Sequence, residues 1–167
     1  MNLFIGESVK FSSFSFLQTA FEKQYGKMIS KDEVGFRRYG KPYFLDPSKP
    51  YFNISHSGKY IVCVFCELEI GIDIQRIKKI PDRVTERYLH TSSKDLNTII
   101  LEWTKFESYG KMIGCGIPYA HNYDEGQFLH YFGLKDYIIT VCYNSGIIQE
   151  LKPVFIDAPE RIGNDEP

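Results

Sequence analysis

The chain has 167 residues, 43% of them hydrophobic and 16% aromatic, with a formal net charge of −1. That length and apolar content suffice for one core, or two small lobes sharing one, and argue against disorder. The near-neutral balance excludes a broad electrostatic footprint for nucleic acid. Residues 1–10 lack the n-region and h-region of a secretory signal, and no apolar run approaches the ~20 residues that span a membrane, so a cytoplasmic protein is expected.

Along the chain, Ser12 or Ser13 is expected to cap a helix that carries Phe14, Leu17 and Phe21 on one face and stops at Gly26. Residues 31–36 read as a connector or short strand, 39–44 as a break with turn chemistry, and 46–50 as a loop. Residues 51–55 and 59–66 read as strands around the turn His56-Ser57-Gly58, and 70–74 as a third strand. Pro81 opens a short helix over 82–89. Ser92 with Asp95 resembles a capping box, and the helix that follows carries Leu96, Ile99, Trp103 and Phe106 as a core-facing stripe, ended by Gly114 and Gly116. Strands are expected over 127–133, 137–143 and, after the turn Asn144-Ser145-Gly146, 147–151. The polar end, 157–167, reads as a flexible tail.

Cys63 and Cys66 form a C-x-x-C inside Tyr60-Ile61-Val62-Cys63-Val64-Phe65-Cys66. On a strand, positions three apart face opposite sides, and no second pair completes a tetrahedral set. They read as structural thiols.

Two segments carry chemistry. Trp103-Thr104-Lys105-Phe106-Glu107-Ser108-Tyr109-Gly110-Lys111 puts an acid, Glu107, and a base, Lys111, one helical turn apart. Gly71-Ile72-Asp73-Ile74-Gln75 puts Asp73 near a strand end, with Gln75 on the same face. Magnesium takes one or two protein carboxylates and completes its octahedron with phosphate oxygens and water, so two carboxylates and a lysine point to metal-assisted phosphoryl chemistry. Glu107 is also a candidate base for an incoming hydroxyl, and Lys111 a point charge for a diphosphate. The plain alternative for Glu107 and Lys111 alone is a surface pair of ~0.3–0.5 kcal/mol.

Four motifs occur in order: Gly40-Lys41-Pro42, Asn53-Ile54-Ser55-His56-Ser57, Gly71-Ile72-Asp73 and the helix from Trp103 to Lys111. From about residue 17 to about 143 this order resembles the surfactin-synthetase-activating type of 4′-phosphopantetheinyl transferase. The resemblance implies an α+β fold of two similar α/β lobes, a pseudo-dimer, each a small antiparallel sheet packed on a long helix. The lobes would be 1–68, on the nucleotide side of coenzyme A, and 69–156, with the metal and the catalytic helix. It implies transfer of the phosphopantetheine arm of coenzyme A to a serine of an apo acyl or peptidyl carrier protein. Magnesium, or manganese, would be held by Asp73, Gln75 and Glu107. Lys41 with Pro42, Ser55, His56 and Lys111 would hold coenzyme A, with His56 at the 3′-phosphate.

The chain departs from this pattern in places. Phe106 stands where the family usually has lysine, Lys105 points about 100° away, and Gly110 costs the helix ~1 kcal/mol relative to alanine. Only residues 1–11 precede the first expected helix, which implies a truncated N-terminal lobe and leaves monomer and homodimer open. The alternative is a catalytically inert relative that binds coenzyme A or a carrier protein.

Overall fold

A computed structural model describes residues 1–89, 93, 95–115, 123, 126–144 and 150–157. In chain order these form β1 (Asn2–Glu7), α1 (Ser13–Tyr25), a 3-10 turn (Lys31–Glu33), β2 (Val34–Phe36), β3 (Pro42–Phe44), β4 (Tyr51–Ser57), β5 (Tyr60–Cys66), β6 (Ile70–Arg76), α2 (Asp82–Tyr88), α3 (Leu96–Ile113), β7 (Gln127–Tyr131), β8 (Tyr137–Tyr143) and β9 (Lys152–Ile156). The architecture is mixed α+β, and among the described residues no helix is long and apolar enough to cross a membrane.

Both long helices are bounded by chemistry visible in the sequence. Ser12 caps α1 by accepting the Ser15 N–H at 3.1 Å, and Gly26, at φ 67°, ends it. Asp95 itself is the N-cap of α3, accepting the Thr98 N–H at 2.9 Å, so it is not the third helical residue of a box begun at Ser92, which lies outside the described residues. Gly114, at φ 68°, ends α3, and Gly116 lies outside the described residues. The helix runs unbroken through Gly110.

The first sheet has the order β4-β5-β1-β9 and the other large sheet the order β6-β8-β7. In both, a strand leads through a helix to a hairpin whose second arm returns to pair antiparallel with that first strand: β1, α1, β4, β5 and then β6, α3, β7, β8. Four strands differ from the sequence reading. Residues 2–7, left without an element, are β1, buried on both faces in the middle of the first sheet, so no alternation marks them. β9, over 152–156, was not expected and pairs parallel to β1 with Leu3 opposite Pro153, its proline tolerated because β9 is an edge; the strand expected over 147–151 lies mostly outside the described residues. β4 extends through His56 to Ser57, so the turn is at Gly58 and Lys59, and Gly58 takes φ 54°. Residues 42–44, read as a break, are β3, paired to β2.

The alternation of β1 builds two cores. Phe4 faces α1 among Phe16, Leu17, Phe21, Phe52 and Phe65. Leu3 and Ile5 face the second sheet among Val62, Val64, Ile72, Ile74 and Val141. The other face of the second sheet, bearing Gly71, Asp73 and Thr140, lies under α3. The side of α3 that meets the sheet is Ile100, Thr104, Ser108 and Met112, all buried. The expected stripe instead packs in a satellite cluster: Ile99, Trp103 and Phe106 meet Tyr88, Leu89 and Tyr123. Small polar side chains let α3 settle close, and a Cβ on Gly71 would meet the Ser108 carbonyl at 2.0 Å.

The edge strands β4 and β6 meet along a seam. An edge strand has backbone N–H groups without ladder partners, and burial makes them costly. Asn53 Oδ1 accepts the Ile72 N–H at 2.9 Å, Ser55 Oγ the Ile74 N–H at 3.4 Å and Ser57 Oγ the Arg76 N–H at 3.2 Å. Alternate polar residues of β4 thus complete the edge of β6.

Candidate active site

Asp73 alternates with Ile72 and Ile74, so its side chain leaves the sandwich core and enters the α3 side of the sheet. It is 1% exposed. Oδ1 accepts from Lys111 Nζ at 2.6 Å and from Ser55 Oγ at 3.0 Å, and Lys111 Nζ also donates to Ser55 Oγ at 2.8 Å. Glu107, one turn before Lys111, places Oε2 3.8 Å from Nζ. Three segments far apart in sequence thus converge on two carboxylates and one ammonium.

The charges do not balance locally. Asp73 Oδ2 is buried without a hydrogen-bond partner, which burial makes expensive. Glu107 is pushed up to about 7, first by burial and then by the negative charge of Asp73, with Lys111 pulling the other way; the neutral acid can also donate a hydrogen bond to Asp73. A carboxyl poised near neutrality suits proton transfer. Among the described residues no group of three or more His, Cys, Asp and Glu side chains gathers as a metal cage. Two carboxylates, one with a bare buried oxygen, nevertheless fit a hard cation that completes its shell with phosphate and water.

Glu107 lines two cavities. One, of about 300 Å³, is walled by Tyr39, Lys41, Pro42, Ile54, Gly110 and Lys111. The other, of about 590 Å³, has Gln75, Trp103 and Tyr88 on its walls and Arg76, Lys78 and Lys79 at its rim.

No protein-family model matches the chain. Curated relatives do. The chain is 38% identical over 101 residues to the 4′-phosphopantetheinyl transferase gsp of Aneurinibacillus migulanus, covering 53% of this chain and 42% of that protein. It is 32% identical over 113 residues to the 4′-phosphopantetheinyl transferase Sfp of Bacillus subtilis (strain 168), covering 60% and 50%. Several curated 4′-phosphopantetheinyl transferases thus resemble the chain at 28–38% identity over about half to three fifths of its length, which supports that superfamily. It spans about half the length of the curated relatives it matches.

Against the transferase pattern, the structure gathers Ser55, Asp73, Glu107 and Lys111 into one cluster and distributes the rest. Lys41 is 7% exposed; its ammonium bonds the Glu69 carboxylate and donates to the Met112 carbonyl at 2.6 Å, near the C-terminal end of α3, where a cation is favoured. Burial lowers its affinity for the proton, against Glu69. Arg37 pairs with the same Glu69 at 2.6 Å. Lys41 therefore meets the cavity as a wall whose charge is already engaged, with Pro42 beside it. His56 is exposed and on the opposite face of β4 from Ser55, away from the cluster. Gln75 is half-buried and shares the larger cavity with Glu107.

Phe106, in the transferase lysine position, is fully buried and stacks on Trp103 at 5.6 Å. Lys105 turns away to Glu102, at 2.8 Å. Sequence reasoning named Asn53, Ser57 and Gly71 only within their motifs and gave them no role; they form the seam and seat the helix. The period-two polar positions 53, 55 and 57, alternating with Phe52 and Ile54, were the available signal. Cys63 and Cys66 are free, and burial pushes the Cys63 thiol well up, as expected of a structural thiol.

Proposed function

We propose that this chain is a 4′-phosphopantetheinyl transferase that moves the phosphopantetheine arm of coenzyme A to a serine of an apo acyl or peptidyl carrier protein. The observation that carries the reading is the convergence of Asp73, Glu107 and Lys111 beside a cavity, with Asp73 Oδ2 buried and bare. The repeated strand, helix and hairpin order supports the division into two related lobes, 1–68 and 69–156, with β9 added to the sheet of the first. The cytoplasmic location belongs to the same reading.

In this proposal magnesium is held by Asp73 and Glu107, with the Gln75 amide assisting. When bound, it neutralises diphosphate charge and stabilises the departing oxygen. Lys111 contacts the diphosphate as a flexible point charge. Glu107 takes the proton of the serine hydroxyl. The serine oxygen forms its bond to the phosphorus that bears the pantetheine arm, the diphosphate P–O bond breaks, and adenosine 3′,5′-bisphosphate departs with that electron pair. Pro42, the stem of Lys41, Ser55 and His56 shape the nucleotide side.

The test is intact mass spectrometry of an apo acyl carrier protein incubated with the chain, coenzyme A and magnesium. The expected result is a gain of one phosphopantetheine arm, lost on adding EDTA. No gain across several carriers, with coenzyme A binding retained, overturns the catalytic reading in favour of an inert relative that binds its ligands.

A further inference from the structure

Lys111 bonds Asp73 Oδ1, beside the bare Oδ2. Its Nζ is 2.6 Å from Asp73 Oδ1, 2.8 Å from Ser55 Oγ and 3.8 Å from Glu107 Oε2. Among the described residues it is the cation that both carboxylates share. The two acids differ from it in mobility. Asp73 is set in the middle of β6 and held by Ser55, whereas Lys111 hangs on a four-carbon stem, is 29% exposed along its side chain and already lines the 300 Å³ cavity. If one partner leaves, it is the lysine.

We infer that Lys111 is an exchangeable counter-ion: it neutralises Asp73 while the site holds no metal, and a divalent cation displaces it toward the cavity, where the diphosphate is its next partner. This rests on the metal reading above. A dication on the bare Oδ2 lies beside an ammonium bonded to Oδ1 of the same carboxylate and repels it. The same lysine therefore opposes binding of the cation alone and favours binding of the cation with a diphosphate. Ser55 holds the ammonium in its metal-free station, a position that a surface Glu–Lys pair on a helix does not require.

The test uses the full chain, stripped of metal and held at about pH 8, where proton competition for carboxylates is small. Magnesium is titrated by calorimetry, and thermal midpoints are recorded with and without it, for the wild type, Lys111→Met and Asp73→Asn. Lys111→Gln serves as a second variant if Lys111→Met does not fold. Removing the competitor is expected to tighten magnesium binding about tenfold. The Lys111 variant should also have a lower midpoint without metal and a larger rise on saturation. Wild-type binding that Asp73→Asn abolishes but the Lys111 variant leaves equal or weaker overturns the exchange while leaving the metal site standing. Absence of binding in the wild type and in both Lys111 variants overturns the metal reading and this inference with it.

Discussion

Ser55 Oγ lies 3.0 Å from Asp73 Oδ1 across the seam between the two sheets. The same oxygen accepts the Ile74 N–H and the Lys111 ammonium, so one hydroxyl joins β4, β6 and α3. Ser55→Ala leaves Asp73 with one donor fewer and the Ile74 N–H bare. Asn53→Ala bares only the Ile72 N–H, away from the carboxylate. Both are expected to destabilise the chain by about 1–3 kcal/mol, the usual cost of an unsatisfied buried group. Urea unfolding measures that loss. Magnesium affinity separates the two variants, because only Ser55→Ala is expected to lower it. Equal effects of both on affinity count against a positioning role for Ser55.

Gly71 sits under α3 with no room for a side chain. Its Cβ would meet Ser108 O at 2.0 Å and Met112 N at 2.4 Å, both backbone atoms that no rotamer change can move. Gly71→Ala must lift the helix that carries Glu107 and Lys111 off the strand that carries Asp73. A loss of about 3 kcal/mol or more is expected, and thermal unfolding checks it. A near-native midpoint means that α3 does not rest on β6 as described.

Three helix ends were legible because capping is local: Ser12, Gly26 and Gly114 act on residues three or four away, whereas the α3 cap proved to be Asp95 and not the Ser92 expected from a box pattern. Asp73, Glu107 and Lys111 were legible because their motifs carry chemistry at short spacing. β1 and β9 were not. Their pairing joins Leu3 to Pro153, a contact no local window contains, and β1 has apolar residues facing both ways. The contact face of α3 was hidden for a different reason. The eye follows Trp103 and Phe106, whereas the sheet receives Thr104 and Ser108, chosen for size. Lys41 was assigned to coenzyme A by the resemblance, and its pairing with Glu69, an acid outside the motif, was not legible from that motif.

The two carboxylates are expected to differ from their neighbours in what they cost. Asp73→Ala and Glu107→Ala should each abolish carrier modification by about three orders of magnitude or more, the scale on which charge stabilisation at a reacting phosphate operates. The fold should persist in both, because Lys111 can turn to solvent, Ser55 keeps the Ile74 N–H and Glu107 lies at a cavity wall. Circular dichroism and the mass shift of the carrier decide this together. Full activity in either variant removes that residue from the metal proposal.

Glu107 also gives the metal-free protein a pH signature. Its folded value of about 7 stands above the ordinary 4.5, because burial and Asp73 favour the neutral acid. A raised folded value contributes stability that is fully present below the unfolded value and is lost as pH rises through the folded one. In EDTA the wild type should therefore lose roughly 1–3 kcal/mol between about pH 5 and about pH 8 through this group. Glu107→Gln holds the neutral shape at every pH and still offers a donor to Asp73, so its urea midpoint should vary less across the same range. It should exceed the wild type on the alkaline side. Saturating magnesium should cancel the wild-type loss, since the cation compensates the second carboxylate charge. A wild-type midpoint that rises between these pH values in EDTA, with Glu107→Gln following it, shows that Glu107 is not the group held near neutrality.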